Sequence, residues 1–359
     1  AVCAALEAGG FQVFFVGGCV RNALLGVAVT DIDLATDALP EDTIRCAKTA
    51  GLRAIPTGIE HGTITVISGE IAHEITTFRS DIETNGRRAQ VRFSKSVTED
   101  AERRDFTMNA IYADRGGQVL DPLGGISDLL VRRVRFIGDA VQRIREDYLR
   151  SLRFFRFTAW YGDPALGVDR DGLAAIAANL EGLDGLSRER VGSELKKLSS
   201  AKDPSMAVAS MAQSGVLNCV LEGGDPRALA PLVHHERMLG IEPDPIRRLA
   251  ALADLPIDDS LRLSKADRKR WCTLRSEIGA MKSAAHLAYL HGGDIAKDVL
   301  LLRAAIFEQP ITDAAVLETK RGETAIFPIK AVDLPEFTGP ALGDQLRALE
   351  ARWIASDFV

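Results

Sequence analysis

Two aspartates stand two apart in Val29-Thr30-Asp31-Ile32-Asp33-Leu34, shortly after Phe15-Val16-Gly17-Gly18-Cys19-Val20-Arg21. On a β-strand, residues i and i+2 point to one face, so the carboxylates of Asp31 and Asp33 would share one small volume. Carboxylates held that close repel unless a proton or a cation lies between them. Mg²⁺ is the usual cation, bound through one or two carboxylates together with nucleotide phosphates. The pair therefore points to nucleotidyl transfer, provided other segments supply phosphate, sugar and base contacts. Alone, Asp-x-Asp is also the pattern of a solvated turn.

Three further groups carry chemistry. Gly17-Gly18-x-x-Arg21 falls at a strand-to-helix turn, where glycines admit a phosphate close to the backbone and Arg21, one turn on, reaches a triphosphate. Glu99-Asp100-Ala101-Glu102-Arg103-Arg104-Asp105-Phe106-Thr107-Met108-Asn109-Ala110 reads as two helical turns. There Arg104 and Asp105 are adjacent and Asp105 and Asn109 are an i, i+4 pair, a set able to grip a ribose and its phosphates. Glu146-Asp147-x-x-Arg150-x-x-Arg153-x-x-Arg156-Phe157 reads as one helix on which Asp147 and Arg150 lie side by side. The plain reading is an i, i+3 salt bridge. The sharper one is that a carboxylate accepting beside a guanidinium donating complements cytosine and adenine. Uracil and guanine present the opposite order and would leave both groups unpaired.

The elements needed to position these groups are a small sheet and then helices. A helix ends at Gly9-Gly10, Phe11–Val16 is a strand, a helix starts near Val20, and Asp31–Leu34 is a second strand. Pro40–Ala50 is helical after a cap at Thr36-Asp37, and Ile55–Ile67 with Glu70–Phe78 form a hairpin about Ser68-Gly69. Residues 80–92 are polar around an Asn-Gly and read as a mobile loop. From Asp139 onward, helical periodicity runs through 141–161, 171–180, 188–198, 205–216, 246–255, 265–282, 293–308 and 343–356. The expected fold class is α+β: a mixed head at 1–137, a helical neck at 138–200, a body at 201–310 and a tail at 311–359. Asp121–Leu129 is a sheet-to-helix turn, Ser187 an N-cap, and Val233-His234-His235-Glu236 structural, lacking partners at metal-ligand spacing.

With 46% hydrophobic and 26% charged residues, the 359-residue chain has an ordinary globular composition. No apolar run reaches the roughly 18 residues of a membrane span, so no membrane partner is expected. No signal peptide is visible, and the chain starts without Met, so residues are expected to precede Ala1. Five scattered cysteines without C-x-x-C spacing fit a reducing cytosol. The net charge of −6, taken alone, argues against a nucleic-acid partner, but 79–156 holds 16 Lys/Arg against 12 Asp/Glu, a local basic face able to bind RNA.

Taken in order, these motifs resemble the class II tRNA nucleotidyltransferases, the family of bacterial CCA-adding enzymes and poly(A) polymerases. The resemblance runs from Gly17-Gly18-x-x-Arg21 and Asp31-x-Asp33 through Glu74-Ile-Thr-Thr-Phe-Arg79, Arg103–Ala110, Asp121–Leu129, Glu146–Phe157 and Ser187–Glu194. It implies two Mg²⁺ on Asp31 and Asp33, with Glu74 as a third carboxylate. It further implies triphosphate contacts at Gly18, Arg21 and Arg104, and ribose contacts near Asp105 and Asn109. Base reading would fall to Asp147 and Arg150, with Arg153 and Arg156 supporting them or the phosphates. The loop after Arg79 matches the family's flexible loop, and Asn22 stands where Asp is usual. The implied partners are the tRNA 3′ end, CTP and ATP, in the cytoplasm, with no obligate protein partner evident. The segment Gly51–Val66 is similar to CCA-adding enzymes and lacks the basic Gly-Arg-Arg-Phe-like stretch of poly(A) polymerases. Poly(A) addition, addition of only part of CCA, and a silent RNA-binding scaffold remain the alternatives.

Overall fold

In the computed structural model, residues 1–85, 88–280 and 282–359 are described, with the side chains of 81–91, 258 and 259 left aside. By contacts the chain divides into two units. One is Ala1–Glu222 with Asp259–Arg262; the other is Gly223–Asp258 with Leu263–Val359.

The first unit begins with α1 (Val2–Ala8), β1 (Val13–Val16), α2 (Gly18–Leu24), β2 (Asp33–Thr36) and α3 (Pro40–Thr49). There follow β3 (Arg53–Gly58), β4 (Thr63–Ser68), β5 (Ile71–Thr77), β6 (Arg79–Asn85) and β7 (Arg88–Phe93). After α4 (Val97–Glu102) come the short β8 (Tyr112–Ala113) and β9 (Val119–Leu120), then α5 (Gly125–Leu130). A seven-stranded sheet has the order β3-β4-β5-β2-β1-β8-β9. Only β2 and β5 pair in parallel, and the link between them is long enough to hold α3 and the β3–β4 pair. Alternation sorts the strand residues. Val13, Leu34, Ile64, Val66 and Ile75 bury against α1 and α3, while Val16 and Ala35 pack on the other face with Phe78, Ala110 and Tyr112. Each large side chain removed from water here, such as Phe78 or Tyr112, contributes about 1.5–3 kcal/mol. Asp33 shares the face of Ala35, so its carboxylate points to the side on which 97–113 packs.

The predicted hairpin arm 55–67 is itself two antiparallel strands, β3 and β4, on either side of Ile59–His61, and four further expectations in this part of the chain need correction. The second strand starts at Asp33, so Asp31 precedes it. The proposed cap at Thr36-Asp37 serves other ends: Asp37 accepts from Gln12 N at 2.7 Å, and α3 starts after Leu39 with Pro40 in its first turn. Residues 80–92 form a hairpin, β6 against β7, paired from Arg79↔Phe93 to Asn85↔Arg88; Gly86 and Arg87 lie outside the described residues. Asn-Gly signals a hairpin turn as well as a loop, and a two-stranded ladder bonds through the backbone, so it does not need apolar alternation. The fourth correction concerns the stretch 99–110, which is not one helix. The helix α4 ends at Glu102, and Phe106 is extended (φ −121°, ψ 146°) and bridges Phe136. Its ring enters a cluster with Phe136 and Phe157, both at 5.0 Å. Burial of that ring outweighs continuation of a short helix.

Helices then dominate: α6 (Ala140–Glu146), α7 (Leu149–Tyr161), α8 (Arg170–Ala177) and α9 (Arg188–Ser199). The predicted single helix 141–161 is broken, because Asp147 is extended (φ −155°, ψ 104°) and its Oδ1 accepts from Leu149 N at 3.2 Å. An Asp that bonds nearby backbone N–H groups competes with helix continuation, and here it wins. Ser187 caps α9 as expected, accepting from Arg190 N.

Among its described residues the second unit has helices and connecting loops and no strand, with helices Leu229–Met238, Pro245–Leu252, Lys265–Ile278, Ala284–His291, Gly293–Phe307, Asp313–Thr324 and Gly339–Ala355. The last seats Trp353 against Tyr289, Phe327 and Phe358. Among the described residues no helix is long and apolar enough to cross a membrane.

Candidate functional site

A cavity of about 230 Å³ is lined by Gly18, Cys19, Arg21, Asn22, Val29, Thr30, Asp31, Asp33 and Tyr161. The predicted acid pair and the predicted phosphate turn therefore meet in one place. Glu74 is the register partner of Asp33 on the adjacent parallel strand, so its side chain leaves the sheet on the same face. Burial pushes the Asp33 carboxyl up from its ordinary pKa; Glu74 and Asp31 add to this, and Arg104 opposes it. Among the described residues none of these three carboxylates has an Arg, Lys or His ion-pair partner. Among the described residues no three His, Cys, Asp or Glu side chains gather closely enough to hold a metal alone. Oxygen donors that repel one another, too few to fill a coordination sphere, fit a divalent cation that takes its remaining ligands from substrate phosphates and water.

Gly17 makes the turn possible. At φ 71° it occupies the left-handed region, and a side chain there would begin 3.6 Å from Arg104 Nη1. Arg21, in α2, is 6% exposed. Its Nε and Nη2 donate to Asn22 Oδ1 at 3.1 and 2.9 Å, its Nη1 to Asn109 Oδ1 at 2.5 Å, and Nη2 also to Tyr161 Oη at 2.7 Å. Its guanidinium lies 3.9 Å from the Tyr161 ring centroid and 5.1 Å from that of Phe157. All these partners are neutral, and burial lowers the pKa of Arg21.

Arg104, Asp105 and Asn109 are brought together, by a turn and a 3₁₀ segment instead of a helix. Arg104 Nη2 is 2.9 Å from Asp100 Oδ2, and its Nε donates to Tyr112 Oη at 3.1 Å. Burial opposes its charge, but Asp100 and Tyr112 hold it firmly protonated. Asp105 accepts from Asn109 Nδ2 at 2.9 Å and from Arg153 Nε at 2.7 Å. Burial alone would raise the Asp105 pKa, but Arg153 and these hydrogen bonds bring it down to about 2. A hydrogen-bonded chain thus runs Arg21–Asn109–Asp105–Arg153, from the cavity to α7.

The α7 arginines find separate carboxylates. Arg150 pairs with Glu146 and also donates to the carbonyls of Arg143 and Arg103. Arg153 pairs with Asp105, and Arg156 with Glu194 at 2.6 Å. Asp147 pairs with Arg190 at 2.5 Å. The expected Asp147–Arg150 neighbours are thus not a salt-bridged pair on one helix, and neither lines the cavity that holds Asp31 and Asp33. A larger cleft of about 710 Å³, lined by Arg92, Arg103, Arg143, Arg145, Glu99 and Glu146 among others, lies apart from the acids. Asp100, Tyr112, Tyr161 and Arg190 were not singled out from sequence. Asp100 had a readable signal, an i, i+4 position to Arg104; the other three act across folds of the chain that spacing does not show.

Residues 13–135 match the family model of the poly(A) polymerase head domain. The CCA-adding enzyme of Geobacillus stearothermophilus is 40% identical over 284 residues, covering 79% of this chain and 63% of that protein. The human mitochondrial CCA tRNA nucleotidyltransferase 1 is 46% identical over 183 residues, 51% of this chain and 42% of that protein. The chain thus spans from under half to just under two thirds of these relatives. The crystal structure of the Bacillus stearothermophilus CCA-adding enzyme in complex with CTP superposes with a TM-score of 0.73 at 26% identity, covering 99% of this chain and 92% of that one.

Proposed function

We propose that this chain, whose residues 13–135 match the poly(A) polymerase head-domain model, adds C, C and A to tRNA 3′ ends from CTP and ATP without a template. The observation that carries this reading is the shared cavity: Asp31 and Asp33 without cationic partners, beside a buried Arg21 without an anionic one. Asp31 and Asp33 would hold Mg²⁺, with Glu74 beside them. When bound, Mg²⁺ supplies activation of the RNA 3′-hydroxyl and charge neutralisation for the departing pyrophosphate. Gly18 leaves room for phosphate, Arg21 and Arg104 attract it, and Asp105 with Asn109 fixes the ribose side.

Asp147 and Arg150 read the base. Each is anchored, Asp147 by Arg190 and Arg150 by Glu146, and anchoring leaves capacity for one base: a second lone pair on the carboxylate and the Nε–H of the guanidinium. Arg153 and Arg156 support this arrangement from α7. The division into head, neck, body and tail at 1–137, 138–200, 201–310 and 311–359 belongs to the same reading, as does a cytoplasmic location.

The test is incubation with tRNA lacking its 3′ end and single labelled nucleotides. Growth that stops after three residues is expected; an unlimited A tail would instead indicate poly(A) addition, and arrest after C or A alone a partial activity. In the same assay Asp147→Ala should relax discrimination of C and A over U and G by roughly 10–100-fold. Unchanged selectivity in that variant would remove the base-reading role.

A further inference from the structure

We propose that Tyr161 is a positioning residue that holds Arg21 charged and aimed for the polyphosphate of the incoming nucleotide; this rests on the transferase reading above. Arg21 has five N–H donors, and four hydrogen bonds to Asn22, Asn109 and Tyr161 fix its plane. Every acceptor is neutral. A carboxylate would hold the guanidinium as firmly but would also cancel its charge, leaving little attraction for phosphate. Tyr161 supplies both remaining forces without that cancellation. Its hydroxyl accepts at 2.7 Å, and its ring faces the cation at 3.9 Å. It also lines the cavity with Asp31 and Asp33, so the guanidinium is held where a phosphate would enter.

The placement has a second consequence. Tyr161 is the last residue of α7 and Arg150 its second, roughly 16 Å apart along the axis at 1.5 Å per residue. One helix therefore carries a base-reading group at its start and the phosphate-side anchor at its end. Asp105–Arg153 ties the middle of the helix to Asn109, which also grips Arg21. A nucleotide whose base engages Arg150 is thereby registered against Arg21 by a rigid element.

The experiment compares wild type, Tyr161→Phe, Tyr161→Leu, Arg21→Ala and the double variant Arg21→Ala/Tyr161→Phe. The readouts are kcat and KM for CTP and calorimetric binding of inorganic tripolyphosphate with Mg²⁺. Loss of the hydroxyl should raise KM and the tripolyphosphate Kd roughly threefold. Loss of the ring as well should raise them roughly tenfold or more, with kcat within about twofold. In the Arg21→Ala background Tyr161→Phe should add nothing, since the tyrosine acts through that arginine. Additive losses, or unchanged KM and Kd in Tyr161→Leu, overturn the proposal. Tripolyphosphate separates the two readings: weakened binding in a protein that transfers nothing supports Tyr161 and sinks the transferase, whereas active transfer with unchanged binding sinks only Tyr161.

Discussion

Both units of the chain bury arginines and carboxylates, and they treat those charges in opposite ways. In the second unit, Glu236 is 2% exposed and meets Arg247 and Arg248, each at 2.7 Å. Arg247 also meets Asp298 at 2.7 Å, and Arg270 meets Asp298 at 2.5 Å. That network is closed, with each of these cations facing an anion. In the first unit the arginines of α7 are closed in the same manner, but the cavity beside them is not. Among the described residues, Asp31, Asp33 and Glu74 lack ion-paired cationic partners, and Arg21 lacks an anionic one. Arg21 is buried and Asp33 half-buried, so a missing complement is costly for them, whereas Asp31 and Glu74 reach solvent; charges of both signs around one small open cavity are what a site for Mg²⁺ and phosphate requires. The closed network shows that the chain has the means to neutralise buried charge where no ligand is to be met.

The sharpest way to break this comparison is to remove one charge from each region. Asp31→Ala should lower nucleotide incorporation by roughly 10³-fold or more while leaving the fold intact. Glu236→Ala removes the buried carboxylate that Arg247 and Arg248 share and should destabilise the protein by roughly 3–5 kcal/mol in urea unfolding, with kcat unchanged at temperatures where it stays folded. Activity lost equally in both, or stability lost equally in both, would erase the distinction.

A smaller effect should have the opposite sign. Burial, Glu74 and Asp31 raise the pKa of Asp33 in the folded state, so the protein is penalised as pH rises through that value and the carboxylate ionises. Asp33→Asn should therefore raise the melting temperature at neutral pH without divalent cations, by about 2 °C, and the gain should vanish below the ordinary carboxylate range near pH 4. Loss of stability at neutral pH would mean that Asp33 has a cationic partner after all.

Much of the site was legible because its parts are local. Val13–Val16 is an apolar run closed by Gly17-Gly18, and Ser68-Gly69 marks the β4–β5 hairpin, so β1 and the strand that carries Glu74 could be read directly, whereas the strand that carries Asp33 was placed two residues early. Residues paired over long separations could not. Asp105 meets Arg153 and Asp147 meets Arg190 across 48 and 43 positions, where no spacing rule applies. The two helix readings failed for tertiary and local reasons respectively: Phe106 lies beyond the end of α4, in the aromatic cluster, and Asp147 ends the preceding helix in an extended conformation while its Oδ1 accepts from Leu149 N. The contact Asp105–Asn109 was expected from i, i+4 geometry and is present, yet a 3₁₀ segment delivers it. Tyr161 gave no signal, since a tyrosine ending a helix is normally a packing residue.

The central claim is that the open charges of the first unit await a metal-bound triphosphate. It is tested most directly by calorimetric titration of CTP into the wild-type protein with and without Mg²⁺, and into Arg21→Ala. Saturable one-to-one binding is expected, weakening roughly tenfold or more when either Mg²⁺ or the Arg21 guanidinium is removed. Binding of equal strength in all three titrations, or none in any, would contradict it.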